Sequence, residues 1–532
     1  MLRRPFLALG FLALTASPAL AQSPIRFEDA TAAAGMKDTL AGIMGHGGAW
    51  GDYDGDGHVD LFVGGFCDRP DAEYAPSKDP VPTHLFRNLG RGQFERAKGE
   101  CSFFARSSGA VFVDLDNDGL LELYVANNAR QPRGPLDTLQ ARAKVEQSRL
   151  LSFSGGQWWN VTERTGACPK ELLSARNIAP LDYNFDGRLD LLVIEDRFVR
   201  NPQTRLLRGD GEMRFTDVTI DAGIPSGLFG LGCAVGDIND DKRPDIFIGH
   251  SNRWLLSTKD GKFVEDAELN KTFAWRPLHG EDWPCGAALG DLNRDGLLDL
   301  VLAIHGVPAR NKVYLNGGIN DGVPRFRDVT EQTGMPSEVP VKCPHVEIQD
   351  FDNDGWPDVY ISAAWKNEDS SVTPLILRHT GLKGGVPRFE LPRPIGENMV
   401  YYPAGPSADY DNDGRIDLFL INWFQGDSCH LLRNVTKSGN WTEVQVSGKG
   451  TTPMGIGTRV SIYEAGKAGD PKSLLGCQQI QTGYGYASGQ PAIAHFGVGE
   501  RSKVDLVLDL PRQGKVSLDN MPVNRRFTNE SP

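Results

Sequence analysis

The stretch Trp50-Gly-Asp-Tyr-Asp-Gly-Asp-Gly-His-Val-Asp-Leu-Phe-Val-Gly-Gly65 sets four carboxylates, Asp52, Asp54, Asp56 and Asp60, within nine residues. An apolar run of strand type follows at once. Four carboxylates this close repel one another unless a positive charge sits among them. Glycine at the sixth position of the acidic segment, Gly57, permits a sharp bend. Oxygens at positions one, three, five and nine of such a loop converge on one point.

The pattern D-x-[DN]-x-D-G-x-x-[DE] recurs six more times. Its ligand-type residues are Asp114, Asp116, Asp118 and Glu122, then Asp182, Asn184, Asp186 and Asp190, then Asp237, Asn239, Asp241 and Asp245. Further on come Asp291, Asn293, Asp295 and Asp299, then Asp350, Asp352, Asp354 and Asp358, and finally Asp409, Asp411, Asp413 and Asp417. Successive copies start 62, 68, 55, 54, 59 and 59 residues apart. That spacing is repeat architecture. The fourth copy departs from the pattern, with Lys242 where the others have glycine.

Each copy lies between short apolar, β-rich runs, such as GAVFV before and ELYVAN after the second. They are too short for core helices. A third run follows in each unit (HLFRN, RLLRG, HLLRN). A Gly-rich turn then leads to a fourth (QFERA, RFTDVT, RFRDVT). Four antiparallel strands per unit, seven times, predict an all-β chain: a seven-bladed β-propeller over residues 22–438, followed by a small β domain over 439–532. The seventh unit lacks its fourth strand. The segment IRFEDATAAAG, residues 25–35, is expected to supply it and so to leave no open sheet edge.

Hard oxygen ligands in a flexible loop suit Ca²⁺, up to seven ions, in a structural role. The formal charge of −13 argues against a nucleic-acid or anionic-membrane surface. Losing Arg3 and Arg4 with a leader takes it to −15, and seven Ca²⁺ add 14, leaving about −1.

Residues 1–21 read as an export signal, with a basic start, an apolar core from Phe6 to Leu14 and Ala19-Leu20-Ala21 as the cleavage site. Ordinary secretion and twin-arginine export both fit Arg3-Arg4-Pro5. The expected location is secreted or periplasmic, with no transmembrane segment. The eight cysteines permit disulfides in that setting, and Cys67 with Cys101 is the favoured pair. Five N-x-S/T sequons begin at Asn160, Asn270, Asn434, Asn440 and Asn529.

The repeats resemble FG-GAP/VCBS repeats, the calcium-loop blades also found in integrin α-subunit propellers. FEDATAAAG and AWGDYDGDGHVDLFV are close to the pattern of the cartilage acidic protein family. NWTEVQVSG, GIGTRVSIY, GYGYASGQPAIAHFGVG and VDLVLDLPRQGKV resemble the ASPIC/UnbV domain, with LPRQG where that family has a Trp-Pro-Ser-Gly-like segment. The resemblance implies integrin-like calcium loops.

Four long insertions fall at the turns opposite the acidic loops, at residues 66–83, 127–148, 270–284 and 390–403. Long loops on a rigid scaffold are where binding concentrates. The entries to the innermost strands carry His46, Arg106, Arg176, Phe229, Trp283, His345 and Tyr402, with His279, Glu281 and Asp282 beside Trp283. These form a candidate ring for a sugar, a peptide or a small anion. In the tail, Arg459, Tyr486 and His495 are either ligand contacts or packing residues.

The expected function is an exported calcium-binding module that recognises an extracellular or periplasmic protein or glycan. No G-x-S-x-G, H-E-x-x-H or Rossmann pattern is present. The alternative is a lyase, hydrolase or cyclase-type enzyme. It would use His46 and His345 for proton transfer and Arg106 or Arg176 to stabilise an anion.

Overall fold

The computed structural model describes residues 25–530 apart from 67–80, 129–145, 391–398, 448–450 and a few shorter gaps (173, 198, 200, 367–368 and 425). The export segment, Cys67 and much of three insertions therefore lie outside the described residues.

The chain is all-β and is built from repeated four-stranded antiparallel sheets, an arrangement consistent with a propeller. The first sheet shows the plan. Gly48–Gly51 leads through the acidic loop into Asp60–Val63, then His84–Asn88 and Phe94–Arg96. Five further sheets repeat this order, beginning at Ser107–Val113, Ala175–Leu181, Gly230–Gly236, Trp283–Gly290 and Val346–Gln349.

The seventh sheet is closed from the other end of the chain. Its strands Ser407–Ala408, Asp417–Leu420 and His430–Asn434 are joined by Phe27–Asp29, with Phe27 opposite Asn434 and Asp29 opposite Leu432. The spare N-terminal strand thus sits where the repeat pattern asks for one. Arg26 adds two hydrogen-bonding contacts to Thr436.

The core lies between the sheets. Phe62 and Phe112 share one buried cluster across the first and second, and Tyr360 and Leu418 share one across the sixth and seventh. Trp50 and Phe419 pack across the seventh and first, with ring centroids 6.4 Å apart. Each sheet thus has apolar side chains on both faces, which is why the strands read as nearly continuous hydrophobic runs.

From Asn440 onward the chain forms two more sheets, one ordered Ile493–Gly499, Asn440–Ser447, Arg525–Glu530 and the other Leu474–Gln479, Arg459–Glu464, Lys503–Leu510, Gly514–Pro522. The excursion at residues 483–490, GYGYASGQ, leaves this tail and runs among the inner strands of the other sheets. Gly485 N–H donates to Cys233 O (3.0 Å) and Ala287 O (2.9 Å), in the fourth and fifth sheets. Asn177 Nδ2 of the third donates to Gly483 O at 2.8 Å. Ser488–Gly489 pairs in parallel with Gly48–Gly51 of the first. A single short segment reaches four inner strands in this way only if those strands surround it. The finger fills the central channel.

No disulfide joins the described residues, and Cys101, Cys168, Cys233, Cys285, Cys343, Cys429 and Cys477 are free thiols. Burial pushes the Cys343 and Cys429 thiols up to about 12, which makes them inert. The pairing expected for Cys101 involves Cys67 and lies outside the described residues.

Candidate functional site

Six of the acidic loops share one geometry, and the second departs from it. In the six, the first-position carboxylate accepts backbone N–H groups from positions five and six; Asp52 does so from Asp56 (3.0 Å) and Gly57 (2.9 Å), and Asp409 from Asp413 and Gly414, whereas Asp114 of the second accepts from Gly119 at position six. The ninth-position carboxylate ties the turn to the third strand. Asp60 accepts from Tyr53 N (3.0 Å) and Asn88 N (2.8 Å), and Asp417 from Tyr410 N and Asn434 N. Glu122 accepts from Leu115 N at 3.0 Å.

In four loops three carboxylates offer oxygens within 4.8 Å of one another and could hold a metal ion: Asp52, Asp54 and Asp60; Asp114, Asp116 and Glu122; Asp350, Asp352 and Asp358; and Asp409, Asp411 and Asp417. Burial first, then the neighbouring carboxylates, push these groups up: Glu122 to about 8, Asp409 to about 8 and Asp114 to about 6. Asp54 Oδ1, Asp114 Oδ1 and Asp411 Oδ1 are buried with no hydrogen-bond partner. A buried carboxylate oxygen without a donor is costly, and a divalent cation satisfies it. In the other three loops Asn184, Asn239 and Asn293 stand at position three, and Asn293 Nδ2 donates to Asp295 at 2.9 Å.

The arginines beside the loops are not apparent from the acidic motif alone. Arg87 Nε lies 2.6 Å from Asp54, and Arg378 Nε and Arg433 Nε lie 2.7 Å from Asp352 and Asp411. Each comes from the third strand of its own sheet, the R of HLFRN, LILRH or HLLRN. Each faces a loop with aspartate at position three. The loops with asparagine there have no such partner among the described ion pairs.

The tail sits on this acidic-loop face. Arg459 Nη1 pairs with Asp240 at 2.9 Å, and Lys242 Nζ, from the variant fourth loop, with Asp509 at 2.8 Å. Arg512 donates to Asp186 O, Arg526 to Asn412 Oδ1, and His495 Nε2 meets Asn353 Oδ1 at 2.8 Å. Arg459 and His495 therefore act in docking and packing, with His495 also 3.3 Å from Glu443.

Through the channel, the finger reaches the opposite mouth. Tyr486 N–H donates to His345 Nδ1 (3.0 Å), and His345 Nε2 faces Glu347 Oε1 at 3.0 Å. Gln490 Nε2 donates to the same Glu347 oxygen at 2.8 Å. His345 is wholly buried and grips the finger from inside the channel. Tyr486 Oη then lies 3.3 Å from His46 Nδ1 and 3.4 Å from Arg176 Nη1, while Arg176 Nη1 is 3.0 Å from His46 Nδ1. The arginine only donates, so His46 Nδ1 accepts and the phenol donates to it. Arg176 is held by buried Asp196. The His46 ring stacks on Trp423 at 4.1 Å and lies 5.6 Å from Phe66, whose ring is 6.0 Å from the Arg106 guanidinium.

The expected ring is thus split by the structure. His46, Arg106, Arg176 and Tyr486 form one cluster at the mouth. Trp283 belongs to a second, flanked by His305 (5.2 Å, near-parallel), His250 (5.2 Å, edge-on) and the Arg197 guanidinium (3.7 Å). Phe229 lies 5.0 Å from His250 in that group. Tyr402 is fully buried between the sixth and seventh sheets, edge-on to His430, and does not line the mouth. Near Trp283, Asp282 holds Arg310, and Glu281 pairs with Lys342 at 2.6 Å. His279 Nε2 meets Val307 O at 3.2 Å. Trp423, Asp196, Glu347 and His250 carry these clusters yet lie in no recognisable motif, because chain-distant turns bring them together.

Repeats, acidic loops and tail define the class. Residues 52–125, 182–248 and 291–361 match the FG-GAP-like repeat model, and residues 448–532 match that of the ASPIC and UnbV domain. The chain belongs to the FG-GAP-repeat proteins that end in an ASPIC/UnbV domain.

Within that class it is similar to cartilage acidic protein 1 of Xenopus tropicalis, 26% identical over 502 residues, covering 89% of this chain and 71% of the relative. It is likewise 26% identical over 424 residues to cartilage acidic protein 1 of Homo sapiens, covering 75% of this chain. The match spans only 59% of the human protein's length. Among solved structures, the rhamnogalacturonan lyase PL11 of Bacillus licheniformis aligns over 92% of this chain and 73% of its own, at 13% identity and a TM-score of 0.36. A score that low transfers no site.

Proposed function

We propose that the protein is an exported, calcium-stabilised seven-bladed propeller that binds a protein or glycan through the face opposite its acidic loops. One observation carries this reading: the tail covers the acidic-loop face and its finger fills the channel, so the insertion-bearing face is the one left for a partner. That face carries half-buried Trp423 and His46 over buried Phe66 and the buried Trp283 of the second cluster, aromatic groups mixed with arginine and histidine, a composition suited to recognition. Among the described residues no helix is long and apolar enough to cross a membrane.

Calcium fits the loops because the donors are hard oxygens, because the triads already converge, and because three loops bury an oxygen without a donor. The ligand residues are those named above, from Asp52 to Asp417. Their role is structural: bound cations relieve repulsion at the turns on which the tail rests.

The test is capture on a glycan array and against extracellular proteins, with the purified mature chain in millimolar calcium. Capture that falls at least tenfold on His46→Ala with Trp423→Ala, or on Trp283→Ala, supports this surface. Capture untouched by both changes defeats it.

One arrangement favours catalysis as a second reading. A carboxylate-anchored arginine, a histidine and a phenol within 3.4 Å of one another are equipped to hold an anion and move a proton. Product formed from a captured ligand, lost in Tyr486→Phe while capture persists, would establish it.

A further inference from the structure

The fourth position of each acidic loop lies between two ligand positions and is not itself one. Asn117, Phe185, Asp240, Arg294, Asn353 and Asn412 stand there, all with φ between 53° and 63°, and Gly55 with 72°. Non-glycine residues are uncommon in that conformation. Six of them at one position of a repeat point to a use for the side chain. In three successive loops the use is the same. Arg294 Nη2 of the fifth donates to Gly355 O of the sixth. Asn353 Nδ2 of the sixth donates to Gly414 O of the seventh at 2.8 Å. Asn412 Nδ2 of the seventh donates to Gly57 O of the first at 3.1 Å. Each acceptor is the sixth residue of the next loop. The N–H of that residue already goes to its own first-position carboxylate: Gly57 to Asp52 (2.9 Å), Gly355 to Asp350 (2.8 Å) and Gly414 to Asp409 (2.7 Å). The sixth residue is thus held from within by its own loop and from outside by the loop before.

The linked arc has two ends. At the fourth loop the position is Asp240, which pairs with Arg459 of the tail at 2.9 Å. At the first it is Gly55, which has no side chain to offer. Among the described residues no bond of this kind joins the first loop to the second. A cavity of about 320 Å³ lies there, with Asp52 and Gly55 on one side and Asp114 and Gly119 on the other. A long backbone bond, Leu121 N–H to Tyr53 O at 3.5 Å, joins the two loops instead. Of the four loops whose carboxylates converge in a triad, the sixth, seventh and first lie on the arc and the second lies off it.

We infer that Asn353 and Asn412 are positioning residues that couple the calcium sites of the sixth, seventh and first loops, so that filling one favours filling the next, while the second loop fills alone. The inference rests on the calcium reading above and adds how the ions load. The physical route is short. Positions three and five close on a cation together, which fixes position four between them and with it the donor that holds the sixth residue of the next loop. The carbonyl that follows, at position seven, is one of the oxygens such a loop gives a cation. Coupling of this kind is reciprocal: each site changes the affinity of its neighbour by the same factor.

The experiment uses the full mature chain, labelled with fluorotryptophan and titrated with Ca²⁺ at fixed ionic strength. Trp356, at position seven of the sixth loop, stacks on the Arg294 guanidinium (3.4 Å) and the His379 ring (4.7 Å), and its fluorine signal reports that loop. Trp441 lies against Gly414 and reports the seventh. Position five is aspartate in all seven loops, so its change to asparagine disables one loop at a time. Asp413→Asn, in the seventh, should raise the calcium that half-saturates the Trp356 signal at least about fivefold. In Asn353→Gly, which removes the link at a φ glycine takes without strain, Asp413→Asn should leave that signal where it was. If Asn353→Gly fails to fold, the next link gives the same cycle at an exposed residue: Asp56→Asn read at Trp441, with and without Asn412→Gly. Asp118→Asn, in the second loop, should move neither signal.

Asn353→Gly leaves every charge in place, so a shift that survives in it is electrostatic and overturns the link. His495→Gln loosens the tail's hold on the Asn353 oxygen and keeps the link; a shift lost there as well belongs to the tail and overturns it too. A response of either tryptophan to Asp118→Asn overturns the separation of the second loop. Signals that move with calcium but ignore Asp413→Asn overturn the coupling and leave the calcium sites standing. Signals that ignore calcium altogether overturn both.

Discussion

Lys242 shows what one side chain does in a repeated frame. It holds φ at 70°, where the other loops have glycine. A non-glycine residue there costs roughly 1–2 kcal/mol. In return its ammonium meets Asp509 of the tail, but an exposed pair of this kind contributes only about 0–1 kcal/mol. Lys242→Gly should therefore leave stability unchanged or raise it by up to about 2 kcal/mol. Gly119→Ala, at φ 90° with open space around the new methyl, should lower it by about 1 kcal/mol. Denaturant midpoints at fixed calcium compare the two.

Histidines set a second residue-scale effect. His84, His250 and His305 are each held down to about 4, chiefly by burial; Arg197 adds to this at His250 and Lys342 at His305. The unfolded chain takes up protons below about pH 6.5 that the fold refuses until about pH 4. Stability from these groups is therefore complete above pH 6.5 and is lost as pH falls through that window. The expected slope is at most about 1.4 kcal/mol per pH unit for each histidine. Urea midpoints between pH 7.5 and 4.5 measure it, and His305→Gln should flatten the curve; an unchanged slope in the variant refutes the assignment.

At the scale of elements, the finger is the least sequence-legible part and the most constrained. Acidic loops could be read because seven copies share one spacing, and the closing strand could be read because the seventh unit lacked one. GYGYASGQ belongs to no repeat. Its role follows from hydrogen bonds to residues 141 to 440 positions away in sequence, which no local pattern encodes. Likewise Tyr402 reads as a mouth residue from its place in the repeat, yet its insertion turns it into the core between sheets. The glycines of the finger explain their own presence. A methyl at Gly485, itself at φ 76°, would stand 2.5 Å from the His345 ring, and one at Gly489 would stand 2.6 Å from Ala110 O. Gly485→Ala should expel the finger and loosen the tail. Limited proteolysis would then release a fragment beginning after residue 438 and leave the sheets intact; a variant as resistant as the parent would show that the finger does not hold the tail.

At the scale of the molecule, the proposed cations, the tail and the proposed recognition face form one chain of dependence. The turns that carry the carboxylates are also the tail's seat: Asp240, Asn353 and Asn412 of three loops contact it directly. Without cations, like charges within 4.8 Å repel, and only nearby arginines, such as those of the third strands at three loops, oppose them. Loops splay and the docking contacts weaken. The finger then loses the anchor that holds Tyr486 against His46 and Arg176. Chelation with EDTA should therefore do three things in order as chelator rises: lower the melting temperature by many degrees, expose the segment near residue 438 to protease, and change the environment of Trp423, which stacks on His46 at the far mouth. Calorimetric return of Ca²⁺ should recover all three, with no more than seven ions bound. Arg378→Ala tests the direction of the coupling at a single loop. It removes the arginine paired with Asp352 and Asp354, so that loop should need more calcium to reach the same stability. A melting temperature indifferent to chelator, or a Trp423 signal that moves without any change in the tail, would break the chain at the link it names.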